Sequence, residues 1–377
     1  MKHFQSWKEL DSSALQSNVR IFKDLIGHNR KLMIVVKSNA YGHGSLPVSK
    51  IVTECGADWL GVFTVDEALE LRKNAIQCPI LVFGPVPEDA LKVASENNIS
   101  VTIASLHSIS IVEKLQVSGL KIHLKLETGT NRQGFQENEI PTLVQFLGKC
   151  DGIEVEGAYT HFADIEDTTD HSFAELQLNR YKEFIALLDK HSVSPEILHT
   201  ACTAATLLFE DTFFNMSRVG IGTYGLWPSR ETFVSVHQYN KPSVDLQPVM
   251  SWKTVITQIK KLEPDEYVGY GRTFRTSRKT NLAIIPVGYA NGYPRSLSGR
   301  SYVLVCGKRA PLVGRVMMNM SLIDVTDIPE AKPGDEVVLL GKQLGESVTA
   351  ENIATWIDTI NYEIVTRAEP NGKVIVK

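Results

Sequence analysis

Eight short apolar runs, separated by segments of helical spacing, occupy the chain before residue 240. They are Lys31 to Val36, Trp59 to Thr64, Pro79 to Gly84, Ile99 to Ala104, Lys121 to Leu126, Ile153 to Thr160, Glu196 to Ala201 and Ser217 to Ile221. Segments such as Val65 to Ala75, Leu106 to Leu115 and Ser172 to Lys190 fill the gaps. A first helix is predicted from Glu9 to Ile26, where Leu15, Val19, Phe22 and Ile26 recur at helical spacing. Strands and helices alternating in this number are the pattern of an α/β fold, a (β/α)8 TIM-like barrel.

The rhythm changes after Trp227. Residues Trp227 to Pro248 carry three prolines and no clear period, which suits a linker. The strand candidates beyond it are Met250 to Leu262, Asn281 to Val287, Ser301 to Cys306, Val316 to Val325 and Glu336 to Leu340. One helix from Thr349 to Ile360 and a last strand near Lys373 to Val376 complete the pattern. The expected layout is a barrel over 1–240 and a C-terminal mostly-β domain over 241–377.

A net charge of -4 with mixed signs gives no basic surface for nucleic acid or an anionic membrane. Apolar stretches such as Asn281 to Tyr289 are too short to span a bilayer. Residues Met1 to Lys8 lack the apolar core of a secretory signal. The five cysteines are widely spaced and never form a Cys-x-x-Cys pair, so neither a disulfide framework nor a zinc site is predicted. A cytoplasmic protein without a metal is the expectation.

Lys37 ends the first apolar run and precedes Ser-Asn-Ala-Tyr-Gly-His-Gly. An amine leaving a buried strand for a glycine-rich turn can be held neutral by desolvation, and a neutral amine attacks carbonyls. Taken alone, such a lysine has the ordinary reading of a strand-end ammonium that reaches water. It is not alone. In a barrel of this type sites form where strands end, and five strand ends carry charge-handling groups. These are Lys37, Arg132 after the fifth strand, Tyr159 and His161 after the sixth, His199, Thr200 and Thr203 after the seventh, and Arg218 with Gly220 at the eighth. Thr203 opens a helical run, and the glycine turn at Gly220 to Gly222 offers backbone N–H groups, a combination that suits an anion. Ordinary capping explains the same residues equally well. A candidate Schiff-base lysine together with a phosphate cup suggests pyridoxal 5'-phosphate.

The segment Val-Val-Lys-Ser-Asn-Ala-Tyr-Gly-His-Gly, 35–44, closely resembles the cofactor-lysine motif of the alanine racemase family. The resemblance extends along the chain through Trp7 to Ala14, Lys125 to Gly134, Gly157 to Ala163, Ser217 to Leu226, Gly269 to Gly271, Ile285 to Gly292, Gly314 to Asp324 and Ile360 to Glu363. It implies an isomerase that interconverts L- and D-alanine on pyridoxal phosphate, supplying D-alanine for peptidoglycan. Lys37 would hold the cofactor as a Schiff base and act as one acid/base, with Tyr270 as the other on the opposite face. Tyr41, Thr203, Tyr362 and the backbone at Gly220 and Ile221 would hold the phosphate. Arg218 would face the pyridine nitrogen, supported by His161 and His199. Arg132 and the backbone at Met318 would hold the substrate carboxylate. Lys125 matches a lysine that some relatives carry as a carbamate. The family also implies a homodimer whose active sites are shared between subunits.

Two bases are the direct solution to racemisation, because one base would have to cross the substrate plane. Phenols ordinarily titrate near pH 10, so histidine and arginine nearby are needed to stabilise a phenolate. Several positions depart from the family pattern. Cys202 stands where asparagine is common, Asn319 where aspartate is usual, Arg272 where many relatives have a small residue, and Glu127 where aspartate is frequent. Thr130-Asn131 likewise replaces a more typical Met-x pair. These leave open a racemase of the same group acting on serine or on basic amino acids.

Overall fold

The computed structural model of the chain describes residues 5–238, 244–370, 372 and 374–377. Twenty strands are present among them. β1 is Ser6–Leu10, and the barrel strands follow as β2 Lys31–Val35, β3 Trp59–Val62, β4 Ile80–Val82, β5 Ser100–Ile103, β6 Lys121–Lys125, β7 Glu154–Tyr159, β8 Ile197–His199 and β9 Met216–Val219. The rest are β10 Met250–Val255, β11 Gln258–Leu262, β12 Tyr267–Val268, β13 Phe274–Arg275, β14 Thr280–Ile285, β15 Tyr302–Val305, β16 Lys308–Pro311, β17 Ser321–Asp324, β18 Glu336–Gln343, β19 Glu346–Val348 and β20 Val374–Val376. Two compact units result. One runs from Ala14 to Gln247 apart from Tyr41–Gly44; the other joins the stretch through Ser13, Tyr41–Gly44 and Pro248 onward.

In the first unit, β2 to β9 form one parallel sheet, with β9 returning to pair with β2 through Lys31 to Met216 and Ile34 to Val219. All eight predicted barrel strands are present, shortened at their ends. Between β8 and β9 there is no ladder; Arg218 N–H donates to Ala201 O (3.1 Å), and the Asn215 side chain bridges the strand by accepting from Leu198 N–H (2.7 Å) and donating to Glu196 O. Burial on both faces explains why these runs are apolar throughout. Met33, Trp59, Leu81, Ile197 and Met216 form a buried cluster contributed by five strands. The helix Ser12–Ile26 turns Leu15, Val19, Phe22 and Ile26 inward, and its buried Asn18 donates to Thr223 O and Gln247 O.

The second unit holds a seven-stranded sheet in the order β16-β15-β18-β10-β1-β20, with β19 attached to β18, beside the three-stranded sheet β11-β14-β17 and the ribbon β12-β13. Several expectations change here. Glu9 and Leu10 belong to β1, not to the first helix, because Ser6–Leu10 pairs along its length with β10. The predicted strand from Met250 to Leu262 splits into β10 and β11, which enter different sheets. Residues Val316 to Met320 form a loop ahead of β17, and a second helix, Asn361–Arg367, follows Ala350–Ile357. The expected linker contains the helix Arg230–Gln238. The division expected between 240 and 241 lies outside the described residues, as does Lys373. The second unit also draws in the stretch before Ala14, so one cut in the sequence does not separate the two units.

The turn after β2 is left-handed. Ser38, Asn39 and Ala40 have φ/ψ near +54/+50, and Tyr41 has φ +51. L-residues pay about 1–2 kcal/mol each for this conformation, so the surroundings must hold it. Glu67 Oε1 accepts from Ser38 N–H (2.7 Å), Asn39 Oδ1 accepts from Ser45 N–H (2.8 Å), and Ala40 N–H donates to Val36 O (2.8 Å). Ser38 is exposed, so its backbone can be tested with little loss of packing. Ser38→Val should lower unfolding free energy by about 1–2 kcal/mol through β-branching at positive φ, whereas Ser38→Gly should not destabilise. Denaturant midpoints that shift equally for both variants would contradict a left-handed turn.

Candidate active site

The barrel unit concentrates its chemistry at the ends of adjacent strands. Lys125, Tyr159 and His199 are neighbours in register across β6, β7 and β8. Tyr159 is buried, stacks on His199 with ring centroids 4.7 Å apart, and shares a hydrogen bond with Thr102 Oγ1 (3.0 Å). Lys125 Nζ lies 4.8 Å from the Tyr159 ring centroid and the Arg218 guanidinium 5.3 Å from it. Burial pushes the Tyr159 phenol up to about 12, so it stays a neutral donor.

Arg218 is buried, and its hydrogen-bond partners are neutral. NH1 donates to His199 Nδ1 (2.8 Å) and His199 O (2.9 Å); NH2 donates to Thr160 O (2.8 Å) and Thr200 O (2.9 Å), with His161 Nδ1 at 3.5 Å. The cation therefore has no charge-matched partner among these contacts. Burial, then Arg218 itself, holds the imidazoles of His161 and His199 well below their ordinary value. Both rings are neutral near pH 7.

Lys37 is half-buried at the start of the left-handed turn. Burial lowers its amine, the Arg132 cation lowers it further, and Glu67 opposes both. Burial brings Lys125 down to about 7, aided by Arg218 and Arg132 and opposed by Glu127. The site thus holds two lysines with access to the neutral amine. Arg132 sits on an exposed loop shaped by the Glu127 carboxylate, which accepts from Gly129 N–H (2.6 Å) and Arg132 N–H (3.3 Å).

Thr203 and Gly220 meet as the sequence suggests: Gly220 N–H donates to Thr203 Oγ1 (3.1 Å). Neither Cys202, at the start of the helix Thr203–Leu208, nor Gly220, before the turn Ile221–Tyr224, supplies a side-chain cap. A Cβ on Gly222 would lie 2.6 Å from Thr203 Cγ2 and 2.5 Å from Phe22, so glycine permits the close approach. A hydroxyl beside the backbone of a glycine turn suits a phosphate. With a neutral amine and a guanidinium to pair with a ring nitrogen, this set fits pyridoxal phosphate. Burial pushes the Cys202 thiol up to about 12, which leaves it an uncharged packing group.

Tyr41, Tyr270, Met318 and Tyr362 belong to the second unit. There Tyr41 and Tyr362 have ring centroids 6.1 Å apart. Tyr270 is 71% exposed and Met318 57% exposed, on one concavity that Tyr289, Arg295, Arg315 and Asn319 also line. Gly269 and Gly271, at φ +73 and +72, form the turn that presents Tyr270 outward. Arg272 folds its guanidinium over the Tyr267 ring at 5.4 Å.

Sequence reasoning missed several supports. Buried Lys8 donates to Gly42 O (2.5 Å) and Ala368 O (2.9 Å), and burial lowers its amine to about 8. Buried Gln177 accepts from Ala163 N–H and donates to Thr128 Oγ1 and His161 O, fixing the loop after β7. His123 and Glu156 lie inside the barrel behind His199. His123 alone carried a local signal, an imidazole inside the apolar run Lys121 to Leu126; the others depend on distant partners.

The charges around Lys37 make a signed prediction. Arg132→Gln removes a nearby cation and should raise the Lys37 pKa, lowering its neutral fraction at pH 7; Glu67→Gln should lower it. The pH dependence of Lys37 reductive methylation, read by peptide mass spectrometry, measures both. A fall in Arg132→Gln would contradict this electrostatic picture.

Among the described residues no helix is long and apolar enough to cross a membrane. Residues 10–228 match the family model for the alanine racemase N-terminal domain, and residues 249–376 that for the C-terminal domain. The chain is 37% identical over 376 residues to an alanine racemase of Leptospira interrogans, covering 99% of this chain and 96% of that protein. It is 39% identical over 364 residues to one of Methanococcus maripaludis, covering 95% of each. Its fold matches the crystal structure of alanine racemase from Bacillus anthracis with bound L-Ala-P at a TM-score of 0.91 and 36% identity, over 97% of this chain and 93% of that one. An alanine racemase structure from E. faecalis matches at a TM-score of 0.91 and 31% identity, over 100% and 99%. With both family models matched and full-length relatives above 30% identity, this chain belongs to the alanine racemase family.

Proposed function

We propose that this protein is a pyridoxal-phosphate-dependent isomerase that interconverts L- and D-alanine by a two-base mechanism. The observation that carries the reading is the strand-end set: a half-buried lysine whose amine is pushed toward neutrality, and a buried guanidinium held by neutral acceptors at the ends of neighbouring barrel strands. When bound, the cofactor supplies electron withdrawal that acidifies the substrate α-C–H. Everything else falls to the chain. Lys37 Nζ anchors the cofactor, then accepts or returns the α-proton on one face. Tyr270 Oη does the same on the other. Arg218, whose NH1 and NH2 hydrogens are taken by protein acceptors, would face the pyridine nitrogen with its remaining N–H on Nε, and being permanently charged it has no proton to give up. Thr203, Gly220, Ile221, Tyr41 and Tyr362 hold the phosphate. Arg132 and the Met318 backbone hold the substrate carboxylate. His161 and His199, both neutral, support Arg218.

In the same proposal Lys125 carries a carbamate. An amine near 7 offers a large neutral fraction to carbon dioxide at physiological pH, and the resulting anion would sit among Lys37, Arg132 and Arg218. The exposed face around Tyr270 supports a homodimer in which each protomer lends Tyr270 and Met318 to its partner's barrel. We assign the protein to the cytoplasm, where it supplies D-alanine for cell-wall synthesis.

A chiral assay of the purified protein with L-alanine, L-serine and L-lysine tests the function. Alanine should be racemised fastest. Tyr270→Phe, which removes one of two bases, should reduce kcat by at least about 10²-fold. Absence of racemisation of any of the three by cofactor-loaded protein would overturn the reading; preference for serine or lysine would change only the substrate.

A further inference from the structure

The strongest unassigned feature is a line of buried polar groups running through the barrel interior behind Arg218. His199 Nε2 lies 2.9 Å from His123 Nδ1, His123 Nε2 lies 3.2 Å from Glu156 Oε2, and that oxygen accepts from Ser100 Oγ (2.5 Å). The other carboxylate oxygen of Glu156 faces Lys121 Nζ at 3.4 Å. His123 and His199 are fully buried, and Glu156 is nearly so.

The proton order along this line has one solution. Arg218 can only donate, so His199 Nδ1 must accept, and the proton of neutral His199 is on Nε2. That N–H points at His123 Nδ1, which must accept in turn, placing the His123 proton on Nε2. This last N–H meets an acceptor, the Glu156 carboxylate. Burial favours Glu156's neutral form, but His123, Ser100 and Lys121 outweigh it and hold the group ionised. The reverse order would set two N–H groups head to head at Arg218. Every proton therefore points away from Arg218 and toward Glu156.

Two backbone features serve this arrangement. The ladder between β6 and β7 pairs Ile122 with Val155 but His123 with Gly157, so Glu156 is the extra residue of a bulge. Bulges re-aim side chains, and here the re-aimed side chain is the carboxylate. A Cβ on Gly157 would lie 2.3 Å from His123 Nδ1, so the space for the imidazole exists only because that residue is glycine. The Trp59 ring packs edge-on against His123 at 5.5 Å and closes the line from the side.

We infer that His123 and Glu156 are positioning residues for the racemase reaction, locking His199 as an Nδ1 acceptor so that Arg218 presents its guanidinium to the cofactor as a fixed, fully charged donor. This rests on the assignment of Arg218 to the ring nitrogen made above. An anion reached through two neutral imidazoles stabilises the buried cation without standing beside it. A carboxylate in direct contact would compete with the ring nitrogen for the one N–H, on Nε, that the protein acceptors leave open.

The test is ¹⁵N NMR of the holoenzyme labelled at histidine, with signals assigned by single substitutions, together with kinetics of two variants. His123 and His199 should both appear as neutral Nε2–H tautomers at pH 7. His123→Phe, which fills the space but breaks the line, should move the His199 Nε2–H resonance and lower kcat about tenfold, by analogy with the loss of groups that orient metal ligands. KM for alanine should change little. His123→Asn, whose amide oxygen can take the place of Nδ1, should recover much of both effects, a rescue that a purely structural role does not predict. A doubly protonated or Nδ1–H His199 in an active racemase, or native kcat in His123→Phe, would overturn the positioning role alone. No racemisation by the unaltered holoenzyme would overturn the functional reading and this role with it.

Discussion

A guanidinium buried in a barrel with no carboxylate beside it is the constraint around which the first unit is arranged. An isolated charge in an apolar interior is too costly to persist unless hydrogen bonds replace its hydration. Arg218 is surrounded by the carbonyls of Thr160, His199 and Thr200 and by two imidazoles. Those carbonyls can converge only if β7 and β8 end where they do, side by side, with Tyr159 opposite His199. The absence of a ladder between β8 and β9 follows the same logic: backbone groups that would pair across that seam are turned toward the arginine or bridged by Asn215. The guanidinium keeps its full charge for use because its surroundings solvate it without neutralising it.

The left-handed turn after β2 works in the opposite direction, by storing conformational cost. Four consecutive non-glycine residues at positive φ are uncommon, and such strain collects where geometry matters more than stability. The turn changes the direction of the chain within one residue of Lys37, so the amine leaves the strand at an angle an ordinary right-handed helix start would not give. Glu67 serves twice: it fixes the turn through Ser38 N–H and moderates the loss of charge on Lys37.

How much of this was legible in the sequence depended on whether a feature was local. The eight barrel strands could be read because burial on both faces makes each run apolar by itself. Strand β1 could not, since Ser-Trp-Lys-Glu-Leu pairs with Met250 to Thr254, at the far end of the barrel sequence, and has no independent signature. Within the barrel unit, Lys37, Arg132 and Arg218 stood out as charges at strand ends, and the glycine turn at Gly220 to Gly222 marked available backbone, whereas Tyr270 was found only through its resemblance to the family motif. The chain from His199 to Glu156 was invisible because its meaning depends on a one-residue register slip between β6 and β7, which no periodicity reports. Left-handedness was hidden for the same reason: Ser-Asn-Ala-Tyr reads as a turn, while its hand is imposed by Glu67 and Asn39.

Strand β1 has a consequence for how the chain is made. It lies between β10 and β20, antiparallel to the first and parallel to the second, one strand in from the β20 edge of the larger sheet of the second unit. In chain order β1 precedes every barrel strand, while both of its partners follow them. One edge is satisfied only after Met250–Val255 appears, the other only after Val374–Val376. Contacts of such long sequence separation form late and slowly. Lys8 and Glu9 lie within this strand, and charges on a strand disfavour its pairing with another chain while its edges are open. In the closed sheet the Lys8 charge is buried and becomes a donor to Gly42 and Ala368, so the same residue that disfavours pairing of an open edge ties the finished sheet to its neighbours in the unit.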